Sequence, residues 1–206
     1  MAFSERSRHS VGPGNRARKQ ETDMRQRLRR HIVLIGMMGA GKTALGSELA
    51  RRLHVPFTDS DVEIETAAAM SISEIFARDG EAFFRDREAQ VIARILRDSP
   101  RVISTGGGAW MQDRNRAAIK AAALSVWLSC DLDTLWHRVR QRSTRPLLQT
   151  ADPKGTLARL LAERDPVYAL AELTFPARSG DSVDAATTRL MDVIRTADST
   201  LLTETP

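Results

Sequence analysis

The sequence predicts an α/β domain, a single P-loop unit whose five-stranded parallel sheet is flanked by helices on both faces, with a mobile lid. Three observations predict it. Short apolar runs alternate with amphipathic stretches from His31 to Thr196, the pattern of strands joined by crossover helices. The run Gly36-Met37-Met38-Gly39-Ala40-Gly41-Lys42-Thr43 separates the first apolar run from the first amphipathic stretch and fits GxxxxGK[ST]. The chain has 206 residues, 42% of them hydrophobic, enough for one core, and no internal repeat marks a second domain.

Taken in order, His31–Ile35 is a buried strand that ends at Gly36. Thr43–Leu53 is a helix, because Leu45, Leu49 and Leu53 recur every four residues on one face. Val55–Thr58 leads into a second strand ending at an acidic loop, and a further helix starts near Asp61. Ser71 and Glu74 have capping-box spacing, and Gly80 is a stop for the short helix they begin. Glu81–Arg97 reads as a long amphipathic helix through Phe84, Val91, Ile92 and Ile95. Arg101–Ser104 is the third strand, Arg114–Ala123 an alanine-rich helix and Leu124–Leu128 the fourth strand, followed by a helix that Asp131 caps. The polar stretch Gln141–Gly155 has two prolines and no period, which reads as the lid. Thr156–Arg164 is helical, Leu173–Phe175 the fifth strand and Val183–Thr196 the closing helix. The last ten residues are expected to fray, so residues 31–196 form the domain and 197–206 a tail.

Charge is unevenly placed. Residues 1–30 hold nine Lys/Arg against three Asp/Glu, a net of +6, so a chain of net +5 leaves about −1 for the rest. A basic, flexible extension therefore precedes a nearly neutral domain. It has no apolar segment of a secretory signal; its arginines resemble those of an organelle transit peptide, and Glu5, Glu21 and Asp23 weaken that reading. No apolar run approaches the roughly 20 residues of a membrane span. The single cysteine, Cys130, makes no internal disulfide, which fits a reducing compartment. His9, His31, His54 and His137 are not spaced as metal ligands and read as ordinary surface or core residues.

The glycine-rich run predicts nucleotide binding. Its backbone N–H groups turn toward phosphate oxygens, and it feeds a helix N-terminus whose dipole favours anions. Lys42 reaches the β- and γ-phosphates and the Thr43 hydroxyl binds Mg²⁺, the cofactor that accompanies ATP. Gly39, Ala40, Gly41 and Ala44 complete the cradle. Ala44 stands where many P-loop kinases carry a second hydroxyl residue, which leaves the roles of Lys42 and Thr43 intact.

The phosphoryl acceptor rests on four weaker signals at predicted strand ends, a helix start and the lid. Asp59-Ser60-Asp61 follows the second strand; two carboxylates two apart in an extended segment point to opposite sides, one toward metal and one toward an acceptor hydroxyl. A solvated acidic loop reads as well in isolation. Arg85 and Glu88 share a helix face, either as a surface ion pair or as a fork for a substrate carboxylate. Gly106-Gly107-Gly108 is either a flexible turn or a place where backbone donors approach a ligand. Arg145 is either a loop arginine or one delivered by a closing lid.

Together these motifs resemble the shikimate kinase family, of the nucleoside monophosphate kinase-like P-loop fold. The resemblance runs from Ile32 to Met191 and is carried by GMMGAGKT (36–43), DSD (59–61), FFRDRE (83–88), STGGG (104–108), RPLL (145–148) and ERDPVY (163–168). It implies ATP-dependent phosphorylation of the 3-hydroxyl of shikimate. It implies that Asp59 helps hold Mg²⁺ through water, and that Asp61 hydrogen-bonds the reactive hydroxyl and assists its deprotonation. It further implies that Arg85 and Arg164 pair with the substrate carboxylate, Glu88 orients Arg85, and Gly106, Gly107 and Gly108 line the ring. Arg145 would swing in with the lid, and Arg138 would stack on adenine, with Arg140 and Arg142 as neighbouring candidates and a second contact near Arg178 left unassigned. The expected partners are ATP and shikimate, with no specific nucleic acid and no membrane, for a monomer in the cytoplasm. A kinase for gluconate or a nucleotide, or a nucleotide-dependent module holding RNA through the basic extension, are the alternatives. The FRxxE helix and triple glycine favour a rigid cyclic carboxylate over gluconate, a nucleotide acceptor would need more phosphate-facing arginines, and the scarcity of aromatics disfavours the last.

Overall fold

The computed structural model describes residues 26–140 and 150–204. Its elements are β1 (Gln26–Leu28), β2 (His31–Ile35), α1 (Lys42–Leu53), β3 (Phe57–Asp59), α2 (Ser60–Ala68) and α3 (Ile72–Ile95). They continue with β4 (Val102–Ser104), a 3₁₀ turn (Ala109–Met111), α4 (Asp113–Ala122), β5 (Ala123–Ser129), α5 (Leu132–Val139), α6 (Pro153–Tyr168), β6 (Leu173–Pro176), α7 (Val183–Ala197) and β7 (Leu202–Glu204).

Five strands form one parallel sheet in the order β3-β4-β2-β5-β6. All five residues of β2 are buried, as a central strand covered on both faces requires. The helix between β2 and β3, α1, packs on α7, while α3 packs on α4 and α5 on α6. The chain leaves β2 toward β3 and β4, then returns to build β5 and β6 on the other side. The crevice beyond the carboxyl end of β2 is therefore the switch point where such sheets hold ligands.

The expected helix starts hold in detail. Ser71 accepts from the Glu74 backbone N–H at 3.2 Å while Glu74 accepts from the Ser71 backbone N–H at 2.8 Å, the reciprocal bonds of a capping box. Asp131 accepts from the Thr134 N–H at 2.8 Å. Gly80 ends the short helix that Ser71 caps, as expected: its φ +81° and ψ 174° are non-helical, and α3 consists of two helical segments that meet at this kink. A Cβ there would meet nothing within 4 Å, so the backbone dihedral selects glycine and packing does not.

Three boundaries differ from the sequence reading. The helix expected from Thr156 begins at Pro153, because proline suits a first helical position and Asp152 accepts from the Gly155 N–H at 2.9 Å. Residues 153–155 therefore belong to α6 and not to a lid; 141–149 lie outside the described residues. Residues 201–204, expected to fray, are held in place. Leu201 is buried, and β7 pairs antiparallel with β1, Leu28 opposite Leu202. Gln26–Leu28, which precede the expected domain start at His31, thus pair with Leu202–Glu204. Among the described residues no helix is long and apolar enough to cross a membrane.

Candidate active site

The turn from β2 into α1 makes the phosphate cradle. Gly41 caps α1 at φ +98° and Gly39 has φ +83°, left-handed conformations that glycine adopts without a Cβ penalty. Gly39 also has no space for a side chain, since a Cβ would lie 2.6 Å from Cγ1 of Val139. The first turn of α1 carries no acidic residue of its own. Lys42 folds back over the loop, its Nζ donating to the carbonyls of Gly36 at 2.9 Å and Met37 at 3.0 Å.

Beside the cradle, the Thr43 hydroxyl donates to Asp59 Oδ2 at 2.9 Å. Two hard oxygen donors thus meet where β3 ends and α1 begins. That set fits Mg²⁺, which takes one or two protein oxygens and fills its octahedron with water and phosphate. Asp59 also caps α2, its Oδ1 accepting from the Asp61 N–H at 3.1 Å. Asp61 sits in the first turn of α2, so the pair does not lie in the extended segment that the sequence reading assumed.

The triple glycine is where the remaining side chains converge. A Cβ on Gly106 would lie 2.6 Å from Asp61 Oδ1, one on Gly107 would lie 3.5 Å from Arg164 Nη1, and one on Gly108 would lie 2.6 Å from Arg85 Nη2. Each glycine thus faces a different charged side chain, drawn from α2, α6 and α3 respectively. The Tyr168 hydroxyl fixes this turn by donating to the Gly107 carbonyl at 2.5 Å, and Trp110 Nε1 donates to the Val167 carbonyl at 2.9 Å. The sequence reading assigned neither aromatic residue. Both are fully buried, and single aromatics in a chain carry no local signal of what they brace.

Electrostatics distinguish the acidic groups. Burial, then the neighbouring charge of Asp59, pushes the Asp61 carboxyl up to about 6, against the opposing pull of Lys42 and Arg85. Its Oδ1 is buried with no hydrogen-bond partner among the described residues. Glu88 is only 1% exposed and its carboxyl is raised by burial, with Arg85 opposing the shift. Both Glu88 oxygens accept from Arg85 Nη1, at 3.0 and 2.9 Å. One partner is in the core, so this is not a surface ion pair.

A cavity of about 1050 Å³ runs from the cradle past Asp61, Gly106 and Gly107 to Arg138 and Arg178. Arg138 Nη1 lies 3.3 Å from the carbonyls of both Gly39 and Ala40. Arg140 does not line the cavity and contacts His137 Nδ1 at 3.3 Å. Arg142 and Arg145 lie outside the described residues. Arg85, Gly108 and Arg164 stand next to the cavity lining through their neighbours in the glycine turn.

The family model for shikimate kinase matches residues 38–195. The chain belongs to the shikimate kinase family. It is 54% identical over 197 residues to the shikimate kinase of Cereibacter sphaeroides, covering 94% of this chain and 98% of that one. The enzyme of Ruegeria pomeroyi is 53% identical over 174 residues, covering 84% and 89%. Among solved structures, shikimate kinase from Acinetobacter baumannii in complex with shikimate superposes with a TM-score of 0.76 at 37% identity, covering 81% of this chain and 94% of that one. That of Bacteroides thetaiotaomicron gives 0.75 at 33% identity, covering 81% and 98%. Shikimate kinase membership accounts for a cradle joined to a second, carboxylate- and guanidinium-lined turn.

Proposed function

We propose that this chain transfers the γ-phosphoryl group of ATP to the 3-hydroxyl of shikimate, and that the residues converging on Gly106–Gly108 hold the acceptor. The observation that carries the reading is this convergence of one raised carboxyl and two guanidinium groups, set next to a phosphate cradle. A guanidinium fork matches a carboxylate bidentately. Arg85, held rigid by buried Glu88, and Arg164, on the facing helix, suit the acid group of a ring lying on the glycine turn.

Asp61 takes the acceptor proton. The hydroxyl oxygen bonds to the γ-phosphorus, the bond to the β,γ-bridging oxygen breaks, and ADP leaves with the electron pair. A carboxyl raised to about 6 is ionised at neutral pH yet more basic than an ordinary aspartate, which suits this task. Thr43, and Asp59 through water, would hold Mg²⁺ with the β- and γ-phosphates, where the ion supplies charge neutralisation. Lys42 exchanges its loop carbonyl contacts for phosphate oxygens and stabilises charge in transfer. Arg138 covers the cradle at the end where adenosine extends. Arg145, assigned by the RPLL motif, lies outside the described residues and would neutralise charge on the transferring group.

The test is product structure. Incubation with MgATP and shikimate, followed by phosphorus–proton correlation NMR, should place the new phosphate on the 3-oxygen. Phosphate on another oxygen would overturn the placement of Asp61, and inorganic phosphate alone would overturn the acceptor.

A further inference from the structure

We infer that Arg189 is a positioning residue for nucleotide binding, stapling the segment between β6 and α7 that walls the nucleotide end of the cavity. The inference rests on the nucleotide-site reading above and extends it to a side chain outside the cavity.

Phe175, Ala177, Arg178, Asp181, Ser182 and Val183 line the same cavity as the cradle. This wall is thinly anchored. Ala177 N–H donates to the Ser129 carbonyl at 2.8 Å, and Ser182 caps α7 by accepting from the Ala185 N–H at 3.1 Å. Among the described residues no backbone–backbone hydrogen bond holds 178–181 between those points, and Gly180 there has φ +88°.

Arg189, on α7, reaches back across the gap and engages both its ends. Its guanidinium lies over the Phe175 ring, 4.7 Å from the centroid. Nη2 donates to the Pro176 carbonyl at 3.4 Å and forms an ion pair with Asp181. The two side chains of the pair are 27% and 25% exposed, so the contact is screened less than a surface bridge. Eight positions separate Asp181 from Arg189 across the helix cap, so this is a loop-to-helix tie and not a routine bridge within a helix turn. One planar cation therefore fixes an aromatic, a main-chain carbonyl and a carboxylate of the same wall. A lysine reaches one of these partners at a time, because its charge is a point on a flexible stem.

The claim separates the adenosine half of the ligand from the phosphate half. MgADP needs both the wall and the cradle, whereas inorganic pyrophosphate needs only the cradle. Calorimetric titration of the full chain with each probe should show Arg189→Met weakening MgADP about fivefold, the scale of one net hydrogen bond, with pyrophosphate affinity and the KM for shikimate unchanged. Arg189→Lys should fall between wild type and Arg189→Met. Should Arg189→Met not fold, Arg189→Lys and Asp181→Asn carry the same comparison. Equal MgADP affinity in variant and wild type overturns the inference, as does a parallel loss of pyrophosphate affinity, which would mean general damage. A wild-type protein that binds neither probe overturns the nucleotide-site reading instead.

Discussion

Oδ1 of Asp61 occupies the space that a side chain on Gly106 would need, 2.6 Å from the ideal Cβ position. The glycine therefore leaves the room in which the Asp61 carboxylate stands. A methyl group must push Asp61 aside, and a displacement near 1 Å costs about a hundredfold in rate when a reacting group is misplaced. Gly106→Ala should fold normally, as judged by circular dichroism, and lose about one to two orders of magnitude in kcat. Unchanged kcat would show that Asp61 is not positioned by this contact.

The raised Asp61 carboxyl predicts an acid limb in the rate. The base must be ionised, so kcat/KM for shikimate should fall tenfold per pH unit below about 6, the position set by burial and the Asp59 charge. Asp61→Asn should abolish the limb along with most of the activity. A profile bending near 4 would contradict the assignment.

The same carboxyl carries a stability consequence with a definite sign. Its folded pKa, about 6, lies above the ordinary 3.8, so the native state binds its proton more tightly than the unfolded chain does. That contribution is full below about pH 4 and is lost as pH rises through about 6. At neutral pH the ionised group therefore costs stability, at most about 3 kcal/mol for a shift of this size. Asp61→Asn should raise the melting temperature at pH 7.5 and lose that advantage at pH 4. An equal difference at both pH values would contradict the linkage.

Glu88 holds Arg85 Nη1 with both carboxylate oxygens from within the core. Glu88→Gln keeps the volume but offers one acceptor and turns an amide donor toward the guanidinium. The KM for shikimate should rise about tenfold, the scale of a charged hydrogen bond, with the KM for ATP unchanged. Parallel rises in both would indicate a general loss of structure.

Lys42→Met removes the ammonium that spans the cradle and should lower kcat by about a hundred- to a thousandfold while leaving shikimate affinity intact. Equilibrium titration with shikimate alone separates the two. Near-normal turnover would remove Lys42 from the mechanism.

The cradle was legible because its physics is local. Eight consecutive residues carry the turn, the cation and the hydroxyl, and α1 follows at once. The proposed acceptor site was not legible from spacing, since Asp61, Arg85, Gly106–Gly108 and Arg164 meet only in three dimensions; Asp61, Arg85 and the triple glycine each had a bland reading alone, and family resemblance joined them and added Arg164. The pairing of Gln26–Leu28 with Leu202–Glu204 escaped for a related reason. Three-residue strands have too few positions to show alternation, and their partners lie at opposite ends of the chain. Pro153 did carry a readable signal, proline at a helix start with Asp152 before it, but the surrounding polar composition read as loop. Arg189 is one arginine on the polar side of an amphipathic helix, and nothing in sequence marks what it reaches.

The glycine turn and its charged neighbours are expected to select shikimate as the phosphoryl acceptor. Steady-state ADP formation with MgATP tests that expectation most directly, comparing shikimate with quinate, gluconate and nucleoside monophosphates under identical conditions. A large rise in ADP with shikimate, absent with the other acceptors, is the predicted result. A rise with another acceptor and none with shikimate would contradict it.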